Sequence, residues 1–492
     1  MMRGTTRGTA GGLAVIVAVA VATSFVVSRK MRGEEGRLRG LLATEIDRGS
    51  LVGLGRAQAI GRRVVISDPD DAEAAALLGF ASALLATEFG QATIHEAESA
   101  VSRVDRAHSG ADSEAVVIAG AVRALVDLRK GEPARALAEA TLAAAVTGAG
   151  PYAHCALGRV RAAAGDLAGA SRALEAAMVE APGFLPARLA WAEVRLDLGD
   201  ASAASAMLAP IVKGAPEDAR ARFFLAEAAE DLAADPRLPR PAEMPSASLD
   251  FCDRNGPIPP YVASGCALSA AGRARREGDR LRASTQAQTA GRTAPDEPRL
   301  LARAAQLLAQ EGFVDRADKL LERASRFAAA AAPQIAWARL AVTLGHGRAA
   351  TAPPGLRPAD ATTRVIAARA AFAVGGAGAL AATLDAFGPT VVEGDADLRL
   401  LRTLVKPPPG GAAPGAKRSA AEHYVEGVRA RLVGNMLSAS EHLSHALSGH
   451  ADACRAAGEY IATLRAFKQR PDPAAFDALR AENAGCVNLP AR

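Results

Sequence analysis

The chain has 492 residues, enough for several ordinary domains or for one long array of small units. Half of its residues are apolar, much of that alanine, and only 4% are aromatic, so strand-like runs are scarce and an all-α chain follows. Its 58 basic and 53 acidic residues leave a net charge of +5, with the arginines scattered rather than gathered beside aromatic platforms, which excludes nucleic acid as a partner.

Residues 1–9 form a short tail carrying Arg3 and Arg7. Residues 10–27 (AGGLAVIVAVAVATSFVV) contain no charge and reach the lower limit of a membrane-spanning helix. The stretch also has the features of an export signal, with Ala20-Val21-Ala22 before Thr23. Apolar residues continue to Val27, however, which favours a single-pass anchor that is not cleaved. Arg29, Lys30, Arg32, Arg37 and Arg39 outnumber the upstream arginines and place the bulk of the chain in the cytoplasm. The cysteines oppose this placement. Cys252 and Cys266 flank a proline-rich turn, and Cys454 and Cys486 open and close a C-terminal helical hairpin. Two such pairs, with Cys155 left single, suit an oxidising compartment. Buried free thiols are the alternative, and the periplasmic side is slightly preferred over the cytoplasmic one.

Beyond the anchor, small residues return every 34 positions. Ala124, Gly158, Ala192 and Ala226 form one such series, Gly131, Gly165 and Gly199 a second, and Ala136, Ala170 and Ala204 a third; Pro182 and Pro216 keep the same period. A fixed period of this length marks stacked units, none of which buries its apolar face alone. The stretch 151–182 shows the physical logic. Leu157-Gly158 lies in a first helix, Gly165-Asp166 makes a turn, and Ala170, Leu174 and Ala177 share one face of a second helix that Pro182 ends.

On these residues the chain resembles the tetratricopeptide repeat (TPR). A unit from Pro151 supplies Gly158, Gly165, Ala170, Leu174, Ala177 and Pro182, and the next supplies Ala192, Gly199, Ala204, Leu208, Ile211 and Pro216. A third begins at Ala219 and gives way to a proline-rich run after Ala234. The pattern resumes with Ala271, Gly278, Ala283 and Ala290, then Ala305, Gly312, Ala317, Leu321 and Ala324, and near the C-terminus with Gly427, Gly434, Ala439, Leu443 and Ala446. The resemblance implies an all-α, TPR-like helical-hairpin solenoid, wound as a right-handed superhelix, behind a single transmembrane helix. The expected organisation is an array over 28–235, a proline-rich linker over 236–263 and a second array over 264–351. Degenerate repeats with a Pro/Gly linker occupy 352–419, and hairpins occupy 420–492.

Motifs for chemistry are nearly absent, so no enzyme, cofactor or metal is expected. Gly376-Ala377-Gly378 with Ala381 has a weak dinucleotide-like spacing, but it comes after a helix rather than a strand, and a turn between helices explains it better. His442 and His445 share a helix face ahead of His450, Asp452 and Cys454, a donor set of the kind zinc takes, although no carboxylate is spaced to activate water.

The resemblance also implies that first helices line a concave face. On this sequence that selects Tyr152, Arg159, Leu189, Glu193, Asp197, Phe223, Glu227, Glu230 and Asp231. The acidic members predict a groove for a basic or mixed peptide with an apolar anchor near Leu189 and Phe223; charges that merely solvate helix faces are the alternative. The expected role is a membrane-tethered scaffold or adaptor that binds other proteins or peptides. A non-catalytic or metal-binding subunit of an enzyme complex and a self-associating structural array are the alternatives.

Overall fold

Glycine followed by an acidic residue sets the repeat geometry. In the computed structural model, helices α5 (Glu114–Lys130), α7 (Gly150–Ala164) and α9 (Leu185–Asp197) each run into a left-handed glycine: Gly131 at φ 80°, Gly165 at φ 88° and Gly199 at φ 78°. Only glycine adopts that conformation without steric cost. Each turn is closed by the same bond, from the amide after the glycine back to a carbonyl in the last helical turn. The pairs are Glu132 to Asp127 (2.9 Å), Asp166 to Arg161 (2.9 Å) and Asp200 to Arg195 (2.8 Å). Asp166 and Asp200 then cap the next helices, α8 (Leu167–Glu180) and α10 (Ala201–Gly214), by accepting from the amides of Gly169 and Ala203. One dipeptide thus ends a helix and starts its antiparallel partner.

The structure describes residues 34–107, 113–216, 218–234, 252, 260–276, 280–294, 296–311, 313–330, 332–346, 348–358, 360–405, 420–432, 434–448, 460 and 463–464. The expected anchor at 10–27 lies outside these residues, as does the expected helical pair from Cys454 to Ala484 apart from 460 and 463–464. Ahead of α5 come α1 (34–47), α2 (Leu51–Ser67), α3 (Ala72–Phe89) and α4 (Ile94–Arg106); α6 (Pro133–Ala145) pairs with α5, and α11 (Ala219–Ala234) comes after α10. The later helices are α12 (Pro260–Arg276), α13 (Arg280–Thr293), α14 (Pro298–Gln310), α15 (Val314–Ala324), α16 (Pro333–Gly345), α17 (Ala361–Phe387), α18 (Pro389–Gly394), α19 (Ala396–Val405), α20 (Ala420–Leu432) and α21 (Met436–Ser448). No strand occurs among the described residues. Helix α12 begins inside the stretch expected to be linker, because proline is well suited to a first helical position. Successive helices pack as hairpins, so the chain is an all-α, TPR-like solenoid.

Small residues let the paired helices touch. A β-carbon on Gly158 would stand within 2.8 Å of Leu174 Cδ2, and one on Gly427 within 2.6 Å of Leu443 Cγ. Ala136, Ala170 and Ala204, one period apart, are fully buried. The apolar core forms successive patches: one joins Leu38 to Val194, a second Leu185 to Ala370 and a third Val365 to Ala446. Helix α17 breaks its helical path at Gly376 (φ 64°, ψ −156°), which makes the glycine-rich triplet a bend between two helices. Helices α3 and α17 are long and apolar enough to cross a membrane, but 83% of α3 is buried, packed among α2, α4 and α5.

The array also touches itself across long stretches of sequence. After α15 the chain lies against α5 and α7: the Ala329 amide donates to the Ala163 carbonyl at 2.9 Å, and the Arg129 guanidinium lies 4.9 Å from the centre of the Phe327 ring. Farther on, Arg275 of α12 pairs with Asp397 of α19 at 2.7 Å, and Arg431 of α20 donates to the Gln310 carbonyl at 3.0 Å.

Candidate functional site

The residues expected to line a guest groove converge, but they converge inside the molecule. Tyr152, Leu189, Phe223, Glu227 and Asp231 are buried, and Arg159, Glu193 and Asp197 are half-buried. Tyr152 packs edge-on against Phe80 at 5.0 Å and Phe184 at 5.4 Å. Phe223 meets Phe224 at 5.7 Å, and its ring covers Gly265 of α12. The apolar anchor expected near Leu189 and Phe223 therefore belongs to the core. Glu230 shares α11 with Glu227, and its side chain lies outside the described residues.

The acidic residues are met by arginines of the same chain, which corrects the expectation of an open acidic groove. Arg299, near the start of α14, places Nη1 2.7 Å from Asp197 Oδ1 and 3.7 Å from Glu193, and Nη2 3.2 Å from Glu227. One turn on, Arg303 bridges Glu227 at 2.8 Å and Asp360 at 3.1 Å. On the other side Arg220 joins Glu193 (2.9 Å) to Glu88, which also pairs with Arg159. Arg220 and Arg299 flank the Phe224 ring at 5.3 and 5.6 Å, a cation–π arrangement that adds favourable contact to both.

Burial governs the electrostatics. Desolvation pushes the carboxyl groups of Glu193 and Asp197 up to about 7, although Arg299 acts in the opposite sense on both. Asp231 is raised by burial and by neighbouring Asp360. Burial also acts on Asp360, but Arg303 and the hydrogen bonds from Thr363 outweigh it and hold that carboxyl below its usual range. Between this network and the segment after α15 lies a cavity of about 110 Å³, walled by Glu88, Arg159, Glu193, Tyr261 and Gln334 among others.

Two of the connecting arginines were within reach of the register rule. Counting units from Ala219 and Pro298 puts Arg220 and Arg299 at the second position, the one that Tyr152 occupies in its own unit. Glu88 and Arg303 carry no such signal. Cys252 and Cys266 are joined in a disulfide, Cys155 is buried and free, and Cys454 and Cys486 lie outside the described residues. His442 meets His423 of α20, Nδ1 to Nδ1, at 3.0 Å, and His445 stacks near the same ring; His450 and Asp452 lie outside the described residues. Among the described residues no group of three or more His, Cys, Asp or Glu side chains is arranged for a metal ion.

A family model described as tetratricopeptide repeat matches residues 161–230, from the end of α7 into α11. That stretch carries tetratricopeptide repeats. The match covers the stretch in which the Gly-Asp turns are most regular. No curated protein matches the chain. Among solved structures, "Structure of Naa15/Naa10 bound to HypK-THB" aligns over 91% of this chain with 13% identity and a TM-score of 0.24. The alignment covers 64% of that chain, slightly under two thirds of its length.

Proposed function

We propose that the protein is a non-catalytic interaction scaffold, a TPR-like array tethered to a membrane by residues 10–27 that captures or assembles other proteins. The observation that carries this reading is the series of helical hairpins among the described residues, which contains the family-matched units and supports binding along an extended surface. Tethering supports the same role, because confinement to a bilayer raises the effective concentration of captured partners. The uncharged 10–27 stretch and its basic flanks support the tether, and the Cys252–Cys266 disulfide supports an oxidising, extracytoplasmic side.

Proximity labelling from a C-terminal fusion in the native cell, combined with alkaline extraction of membranes, tests the proposal. A scaffold of this kind stays in the membrane pellet, leaves it when residues 10–27 are deleted, and labels a reproducible set of neighbouring proteins. A chain that is freely soluble with residues 10–27 present, or that labels only copies of itself, overturns it.

A further inference from the structure

We propose that the cavity between α3, α7, α9 and the start of α14 is a binding site for an organic cation, an alkylammonium or guanidinium group. Its wall carries five carboxylates: Glu88, Glu193, Asp197, Asp296 and Glu297. Three arginines, Arg129, Arg159 and Arg220, share the wall, and Arg299 adds a fourth positive charge from behind Glu193 and Asp197. With all five carboxyls ionised, the site is one positive charge short of balance. In the wider network Glu227, Asp231 and Asp360 are matched in number by Arg303, Arg323 and Arg364, so the difference persists.

Unused hydrogen-bonding groups point the same way. Gln334 Oε1, on the wall contributed by α16, is a buried acceptor without a hydrogen-bond partner. Tyr261 is 97% buried (3% exposed) and lines the same space. Both accept from an N–H donor. The Nε atoms of Arg159 and Arg220 also lack hydrogen-bond partners, but both guanidinium groups are already charge-paired with Glu88, so they do not call for an anion.

A cavity of about 110 Å³ with charged groups on its wall holds a few waters when empty of ligand. A single ammonium or guanidinium group on a short alkyl stem replaces them, donating to Gln334 and Tyr261 while standing between Glu193 and Glu297. Asp296, whose side chain is 40% exposed, marks the end through which the stem would pass. Burial disfavours ionised Glu193 and Asp197, so a cation placed beside them draws out protons as it binds.

The group has two sources: a lysine or arginine side chain of a protein partner, which rests on the scaffold reading, or a free small amine. Calorimetric titration of the full-length chain in detergent distinguishes them, with agmatine as one probe and a capped Gly-Arg-Gly peptide as the other. Saturable binding of either probe, with proton release near pH 7 and tighter binding at higher pH, supports the site. Agmatine alone assigns the free amine, and peptide binding assigns the side chain. Glu193→Gln and Gln334→Leu should each weaken binding about tenfold, the scale of one charge-assisted hydrogen bond. Gln334 is only half-buried, so Gln334→Leu keeps the test usable should Glu193→Gln fail to fold. Absence of saturable heat with both probes, equal binding of neutral N-butylacetamide, or affinity unchanged in a folded Gln334→Leu chain overturns the proposal. None of these results touches the membrane extraction or labelling that decides the scaffold reading.

Discussion

Arg299 reaches across 102 residues of sequence to place its Nη1 2.7 Å from the Asp197 carboxylate. Two arrays that look independent along the chain are thereby joined at their centre, with Glu193 and Glu227 bound to the same guanidinium. The charge pattern that suggests a receptor for basic guests is largely satisfied by the protein's own arginines.

Replacing Arg299 with methionine leaves three buried or half-buried carboxylates short of a partner. Breaking such a group from one side costs about 3–5 kcal/mol. Chemical denaturation of Arg299→Met should show a loss on that scale, and Arg299→Lys should recover only part of it, since an ammonium cannot span all three acids. A loss below ~1 kcal/mol would show that the network contributes little to stability.

The raised carboxyls make a pH prediction with a definite sign. Glu193 and Asp197 titrate at about 7 when folded, against about 4 in an unfolded chain. Between those values the folded protein holds more protons than the unfolded one. Their contribution to stability is therefore largest below about pH 4 and falls as the pH rises to about 7. The gain in Tm on moving from about pH 7.5 to about pH 5.5 should shrink in Asp197→Asn. An identical gain in parent and variant would contradict the assignment.

Gly131→Ala tests the contact between the array's separated segments. The position has φ 80°, and an added β-carbon would run into the Arg326 carbonyl. The strain and overlap should cost about 1–3 kcal/mol. Hydrogen exchange should quicken at the Ala329 amide, which donates to Ala163. Unchanged exchange there would mean that the contact does not depend on Gly131.

Gly158→Ala probes packing within one hairpin. Alanine is the better helix former, yet its methyl group meets Leu174. Overpacking should win, lowering stability by about 1–3 kcal/mol. A raised Tm would show that Leu174 yields easily.

The Cys252–Cys266 bridge closes a loop with a sequence separation of 14. Loop closure of that size is worth about 3 kcal/mol in the chain-entropy account. Reduction, or Cys252→Ser, should lower Tm, while Cys155, whose thiol is buried and raised by desolvation, should resist thiol reagents until the chain unfolds. Free reactive Cys252 in protein isolated under thiol-blocking conditions would contradict the bridge.

The hairpins were readable because their determinants are local. Gly165-Asp166 and Gly199-Asp200 specify a stop and a start within two residues, and Gly158 specifies a close approach to the helix directly after its own. The interior network was not readable in the same way. Register counting reaches Arg220 and Arg299 individually, but which acids they meet depends on how each hairpin is rotated on the last. Those small rotations accumulate over many units and leave no trace at any single position. The same limit explains His423, which joins His442 only through the α20–α21 packing.

Most arrays of this type behave like a row of dominoes, each member sensing only its immediate neighbours and able to peel away from either end. The bonds from Ala329 to Ala163 and from Arg299 to Asp197 lash distant members together. The middle of this molecule should therefore melt as one block rather than unravel unit by unit.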